Sequence, residues 1–345
     1  MPDLGGISPS LSVTLFLASA LVIGVAGTRL TGVSDVLAER TGLGEALIGA
    51  VLLGATTSLS GIVTSVSAAA LGDAELAVSN AVGGIAAQTV FLAVADAAYR
   101  RANLEHAAAS PANLAQGALL VTLLAIPVMA FSGPEITLWG VHPATILIVA
   151  AYLFGLRIIS RAQTKPMWGA VQTPETQNEE EEENNDHENT STRALWLRFA
   201  LLAPTIGVAG WVVARTGVNI SEQTGLSATF VGGVLTAVAT SLPELVTSVA
   251  AVRRGALTLA VGGIIGGNAF DTIFLAFSDV AYREGSIYHA VSEQQLYLIS
   301  LTVMLTGLLL MGLLRREKHG IANIGFESFL ILLLYLGSFA FLAFD

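Results

Sequence analysis

The chain contains no cysteine in 345 residues and only two lysines, Lys165 and Lys318. The missing cysteine excludes disulfides and thiolate metal sites. Charge of either sign is scarce: charged residues make up 12% and hydrophobic residues 53%. A soluble domain of this length needs more charge than that on its surface. There is no nucleophile–base arrangement, no phosphate-cradling glycine loop and no dinucleotide fingerprint. Nothing therefore points to an enzyme, a nucleotide ligand or a nucleic-acid partner. The first residues, MPDLGGISPSLS, hold no basic residue ahead of an apolar run and do not read as a signal peptide.

What is present is a series of long apolar runs, the pattern of an all-α polytopic membrane protein embedded in a lipid bilayer. Ten spans are expected near 10–28, 45–71, 75–99, 112–132, 142–160, 196–214, 226–251, 256–281, 291–314 and 321–343. Most reach the ~20 residues that a ~30 Å hydrocarbon core requires. The net charge of −10 comes largely from one stretch, Glu175, Glu179 to Glu183, Asp186 and Glu188. It reads as a solvated linker. The chain thus divides into a first half (1–160), a linker (161–195) and a second half (196–345).

The halves repeat each other. Ile23-Gly-Val-Ala-Gly27 returns as Ile206-Gly-Val-Ala-Gly210, an offset of 183 (206 minus 23). At the same offset Thr57-Ser58-Leu59 matches Thr240-Ser241-Leu242, and Asp96-Ala-Ala-Tyr-Arg100 matches Asp279-Val-Ala-Tyr-Arg283. The chain is a fused duplication. Five spans per half would insert the second copy upside down, giving the inverted repeats of many secondary transporters. Basic residues concentrate on the cytoplasmic side of membrane proteins. With the N-terminus outside, the inner side carries Arg29, Arg40, Arg100, Arg101, Arg157, Arg161, Lys165, Arg193, Arg198, Arg253, Arg254, Arg315, Arg316 and Lys318. The outer side then keeps only Arg215 and Arg283. This predicts a plasma (inner) membrane protein with both termini outside and the acidic linker in the cytoplasm.

Two carboxylates stand inside apolar spans, Glu244 and Asp271. Acids at membrane depth are costly and mark function. Glu244 precedes the basic pair Arg253-Arg254 by nine positions, ~13 Å of helix, and Asp271 precedes Arg283 by twelve, ~18 Å. Both depths are near the midplane, so the two acids can meet. Thr240-Ser241-Leu-Pro-Glu244 has the form of a helix start, with a hydroxyl cap, an early proline and an acid in the first turn. Inside a span, that form predicts a broken helix. Carboxylates, hydroxyls and freed carbonyls are the ligands of a hard cation. Gly262, Gly263, Gly266 and Gly267 predict close packing of the neighbouring helix. Asp73 and Glu75 read as solvated acids of an outer hairpin, and Asp96 and Asp279 as interfacial anchors or local ion pairs. His106, His142, His187, His289 and His319 lack metal-ligand spacing.

The paired stretches, Leu52 to Asp96 and Val234 to Asp279, resemble the α-repeats of the calcium/cation antiporter superfamily, which includes sodium/calcium exchangers. The resemblance rests on Thr240-Ser-Leu-Pro-Glu-Leu-Val-Thr-Ser248 and the glycine-rich Gly266-Gly-Asn268 helix after it. It implies a secondary antiporter that exchanges inorganic cations, Ca²⁺ and Na⁺ among them, without a bound cofactor. It implies Glu244 as central ligand, with Asp271, Thr240, Ser241, Thr57, Ser58 and Gln88 contributing, and carbonyl ligands at Ala237 and Gly54.

The first repeat departs from that pattern. Gly61 stands where the family places its other glutamate, Ser60 replaces the proline, and Gln88 stands opposite Asp271 in the offset. Fewer acids leave less charge for several Na⁺ ions. Exchange coupled to protons, exchange of monovalent cations, and a cation-binding member that does not transport all stay open.

Overall fold

The computed structural model describes residues 7–41, 54–99, 102–171, 173, 190–318, 320 and 324–343. The span start expected at 45, Leu52, Arg100, Arg101, His187, His319 and the linker acids lie outside the described residues. Among the described residues regular structure is helical, apart from an antiparallel bridge between Leu138 and Val141 and an isolated bridge residue at Ile324.

The first half holds α1 (Pro9–Thr41), a helical turn over 54–57, α2 (Leu59–Ala70), α3 (Ala74–Ala98), a short α4 (Leu104–Ala107), α5 (Pro111–Ser132) and α6 (Pro143–Thr164). The second half holds α7 (Thr192–Thr224), α8 (Ala228–Thr240), α9 (Leu242–Arg254), α10 (Leu257–Asp271), α11 (Ile273–Ala281), α12 (Glu293–Arg315) and α13 (Phe326–Leu342). Local chemistry sets many of the ends. Asp73 accepts from Leu76 N (2.9 Å), Ser110 from Asn113 N with Pro111 at the helix start, and Ser227 from Phe230 N. Gly225 and Gly255 close helices in the left-handed conformation, where a side chain would be strained.

Helix limits follow the sequence offset. Adding 183 to Pro9 and Thr41 gives Thr192 and Thr224, the two ends of α7. Adding it to Ala74 and Ala98 gives Leu257 and Ala281, the outer ends of α10 and α11. Seven described helices, with α10 and α11 counted as one across Thr272, are long and apolar enough to cross a membrane, eight if the bent pair α8–α9 is one span; α2 and α13 are shorter apolar helices. Two expected boundaries were too short. α1 and α7 run 33 residues each, ~50 Å at 1.5 Å per residue, past Arg29 and Asn219. The charge at Arg29 looked like a membrane surface, but the helix continues through it.

The core gathers on α3, with α10, α11 and α12 packed around it; Leu76, Ile85 and Ile265 have no exposed surface. The long helices α1 and α7 lie against each other and cross the broken segments of the opposite half. A Cβ on Gly27 would overlap Pro243 of α9, and one on Gly210 would stand 2.8 Å from Ser60 O of α2. These two contacts exchange under the 183 offset. Gly262 and Gly266 admit Asn113 and Gln116 of α5, whereas a Cβ on Gly263 would meet nothing within 4 Å. The packing expected of this glycine set therefore holds at Gly262 and Gly266 and, against Gln88 Oε1 at 3.6 Å, at Gly267, but not at Gly263.

Candidate cation site

The break predicted at Thr240–Glu244 is present. α8 and α9 meet at Ser241 with a 49° bend, and Pro243 opens α9. Proline has no N–H to give to the preceding turn, so the interruption is written into the backbone. A π-helical segment, Val231–Thr236, precedes it inside α8. The first half repeats the interruption at Ser58, between the turn at 54–57 and α2. No such break follows Asp271: α10 and α11 are separated only at Thr272, whose backbone stays helical, and form one 25-residue span, just as α3 runs unbroken through Gln88.

The structure brings most of the expected residues together. Asp271 is buried and both its oxygens are engaged. Oδ1 accepts from Ser58 Oγ and Oδ2 from Gln88 Nε2, each at 2.6 Å. Gln88 Nε2 also donates to Ser241 Oγ at 3.3 Å. Ser58, Gln88, Ser241 and Asp271 thus join the broken segments of both halves through one polar cluster. Glu244 lies in the first turn of α9, within electrostatic reach of Asp271. Its Oε2 is sealed from solvent without a hydrogen-bond partner.

Thr57 and Thr240 hold equivalent places. Thr57 Oγ1 donates to Gly54 O (3.1 Å), and Thr240 Oγ1 to Ala237 O (3.3 Å). The same carbonyls accept Ser58 N and Ser241 N at 3.0 and 3.1 Å. In this conformation the carbonyls of Gly54 and Ala237 are occupied within their own turns. The Thr240 carbonyl, freed by the break, accepts from Ser60 Oγ at 2.9 Å.

Three buried oxygens lack partners here: Glu244 Oε2, Gln88 Oε1 and Asn268 Oδ1. All are acceptors, and buried acceptors without donors are uncommon in native proteins. A cation satisfies acceptors and repels donors, so the donor set suits a hard positive ion. Asn268 had entered the sequence reading only as the residue after Gly266-Gly267. Its Nδ2 donates to Thr89 Oγ1 at 3.1 Å, which turns its oxygen free. Among the described residues no three His, Asp or Glu side chains converge as a metal site. The cluster is rich in hydroxyl and amide oxygen and holds two acids.

Gly61, which takes the place of the family's other glutamate, faces an aromatic wall. A Cβ there would stand 2.6 Å from Phe274 Cε2, and one on Gly54 would stand 2.8 Å from Phe270 Cγ. Phe270 and Phe274 flank Asp271 and meet edge to face at 6.3 Å, and Tyr152 packs on Phe270 at 5.9 Å.

Other residues correct the sequence reading. Asp96 and Asp279 are not interfacial anchors; both are buried completely. Asp96 accepts from Leu104 N (2.6 Å) and Gly325 N (2.9 Å). Asp279 accepts from Ile287 N (3.1 Å), His142 N (2.8 Å) and Thr145 Oγ1 (2.6 Å). Leu104 and Ile287, and His142 and Gly325, are again 183 apart. Each carboxylate therefore fastens a helix start of the opposite half. Asp73 is a helix cap as well as a solvated acid, and burial raises its carboxyl above the ordinary range. His142 and His289 have adjacent rings, 5.6 Å between centroids. Three of their four nitrogens are spent on structure: His142 Nδ1 accepts from Ala144 N, and His289 bonds Ser286 Oγ and Gly133 O.

Comparison with known proteins follows the same line. A family model described as "Sodium/calcium exchanger protein" matches residues 11–171 and 194–344. The inner membrane protein YrbG of Escherichia coli (strain K12) is 27% identical over 265 residues, covering 77% of this chain and 78% of that protein. The sodium/calcium exchanger MaX1 of Methanosarcina acetivorans is 28% identical over 145 residues, 40% of each chain. The fold resembles a crystal structure of the H⁺/Ca²⁺ exchanger CAX, with a TM-score of 0.67 at 12% identity over 95% of this chain and 82% of that one. It also resembles the sodium-calcium exchanger NCX_Mj, with a TM-score of 0.57 at 19% identity over 96% and 99%. The chain belongs to the sodium/calcium exchanger family of the calcium/cation antiporter superfamily, a family of transmembrane cation antiporters.

Proposed function

We propose that this protein is a secondary active antiporter that carries inorganic cations through a site on Glu244 and Asp271. The observation that carries the reading is the cluster at the breaks: a buried second-half carboxylate held to the first half by Ser58 and Gln88, beside a second carboxylate oxygen with no partner. Thr57, Ser58, Gln88, Thr240, Ser241 and Asn268 line it, and the carbonyls of Gly54 and Ala237 join when their turns open. The chain crosses the membrane ten times as two inverted five-span repeats, counting the short segments α2 and α13. Both ends face outward and the acidic linker faces the cytoplasm. The paired helices α1 and α7 slide across the broken segments on the glycine contacts at Gly27 and Gly210, and this opens the site to one side at a time. An ion gradient drives the cycle.

The test is cation flux into proteoliposomes under imposed Na⁺ or H⁺ gradients, with Ca²⁺, Na⁺ and K⁺ as tracers. Glu244→Gln is expected to abolish flux, because it removes one of two charges that neutralise the load. Flux that Glu244→Gln leaves unchanged refutes the site. Current that flows without an exchangeable ion on the far side refutes antiport in favour of a channel. Cation binding without flux marks a member that does not transport.

A further inference from the structure

The two halves of the chain are close copies in sequence offset and helix limits, yet their shares of the site differ in kind. The second half supplies Glu244 and Asp271. The first supplies Gly61 and Gln88 at the matching positions. The space beside Gly61 holds the Phe274 ring, 2.6 Å from where a Cβ would be, and the Phe270 ring stands at 2.8 Å from that of Gly54. Phe270 and Phe274 are buried; Tyr152 braces Phe270, which in turn meets Phe274. Gln88 spends its amide nitrogen on Asp271 and Ser241 and adds no charge.

From this we infer, resting on the antiport reading above, that Phe274 fills the place a first-repeat carboxylate would take beside Gly61. The two second-repeat acids then neutralise two positive charges and no more, so the protein exchanges one divalent cation for two monovalent charges without moving net charge. The reasoning is electrostatic. A charge left unbalanced at membrane depth is expensive. Two carboxylates bearing a load of three positive charges would leave one unbalanced, and two carboxylates with no load would leave two. Only a load of two crosses cheaply in either direction. Coupling follows as well, because the unloaded site stays where it is until refilled.

The experiment uses the full chain in proteoliposomes, with ⁴⁵Ca²⁺ as the probe and the membrane potential clamped by K⁺ and valinomycin. Outward Na⁺ and outward H⁺ gradients are imposed in separate arms. One net charge per cycle would change the steady Ca²⁺ accumulation ratio about 50-fold per 100 mV, and electroneutral exchange leaves it unchanged. The expected result is accumulation driven by one of the two gradients and indifferent to potential. A potential-dependent ratio overturns the inference while leaving antiport intact. Na⁺/H⁺ exchange with no Ca²⁺ uptake overturns the divalent load. No exchange of any cation overturns the underlying reading too.

A second pair of variants examines Phe274 itself. Gly61→Glu alone is expected to disrupt the site, because the new side chain meets the ring. Phe274→Ala combined with Gly61→Glu gives the third carboxylate room and is expected to make accumulation potential-dependent, while Phe274→Ala alone stays indifferent. Fluorescence-detected size exclusion confirms that each variant is folded before its flux is read. A folded double variant that remains electroneutral overturns the role given to Phe274.

Discussion

Asp279→Ala should be among the most damaging substitutions in the molecule, although it touches no transported ion. Asp279 sits at the end of α11 with no exposed surface and receives three donors: Ile287 N, His142 N and Thr145 Oγ1. Two are backbone groups that cannot rotate away. Thr145 Oγ1 keeps Tyr288 Oη as a partner at 3.0 Å; each of the two backbone donors left without one costs about 1–3 kcal/mol, which bounds the total at roughly 2–6 kcal/mol. Single substitutions above about 4–5 kcal/mol are rare because structures relax. About 4 kcal/mol is therefore expected. Asp279→Asn should recover little, since its amide nitrogen would point a donor at donors. Thr145→Val alone should cost about 1 kcal/mol. It should cost less in the Asp279→Ala background, because the hydroxyl has already lost its acceptor. The assay is denaturant unfolding of detergent-purified protein followed by tryptophan fluorescence. A cost below about 1 kcal/mol for Asp279→Ala, or full additivity with Thr145→Val, refutes the fastening role. The offset extends the argument to Asp96→Ala, which frees Leu104 N and Gly325 N and should behave alike.

Other substitutions probe other parts of the structure. Gly27→Ala drives a methyl into Pro243 and Gly210→Ala drives one toward Ser60 O; each should cost about 1–3 kcal/mol and slow turnover more than it weakens binding, as measured by the kcat and KM of flux. Ser58→Ala deletes the donor to Asp271 Oδ1 and a ligand hydroxyl, so apparent cation affinity from thermal-shift titration should fall about tenfold, or ~1.4 kcal/mol; an unchanged midpoint refutes it. Glu105 lies in the loop helix α4, outside the spans. Burial raises its carboxyl above the ordinary glutamate range, Ser328 Oγ opposes the shift by donating to Oε1, and the charge of Glu327 adds to it. Since the folded value is the higher one, its contribution to stability is complete below the ordinary glutamate value and is lost as pH rises through the raised folded value. Glu105→Gln should therefore flatten the fall of Tm with rising pH above ~4.5, and an unaltered slope across pH 4–8 counts against it.

Much of this molecule could be read from order and spacing alone. The membrane class follows from composition, because a chain with so little charge cannot clothe itself for water. The duplication follows from Ile23–Gly27 and Ile206–Gly210, and the structure returns it in the matching limits of α1 and α7. The break before Glu244 was legible because proline and a hydroxyl cap act on the nearest turn, and such local effects survive any tertiary context. The family, too, was written in the Thr240–Ser248 motif.

Other features needed the third dimension. Nothing local distinguishes Asp96 and Asp279 from interfacial anchors, since their partners lie on loops and on helix starts of the opposite half. Arg29 looked like a membrane edge because charge is a poor guide to where a long helix ends. Above all, the sequence showed that Gly61 lacks a carboxylate but not what fills its place. Only folding brings Phe274, 213 positions further on (274 minus 61), against that glycine. Residue type and spacing thus determined a duplicated, charge-poor membrane antiporter with acids at mid-depth. Tertiary packing decided which oxygens meet, which stay unpaired and what fills the space beside Gly61, because each depends on side chains far apart in the chain sharing one small volume.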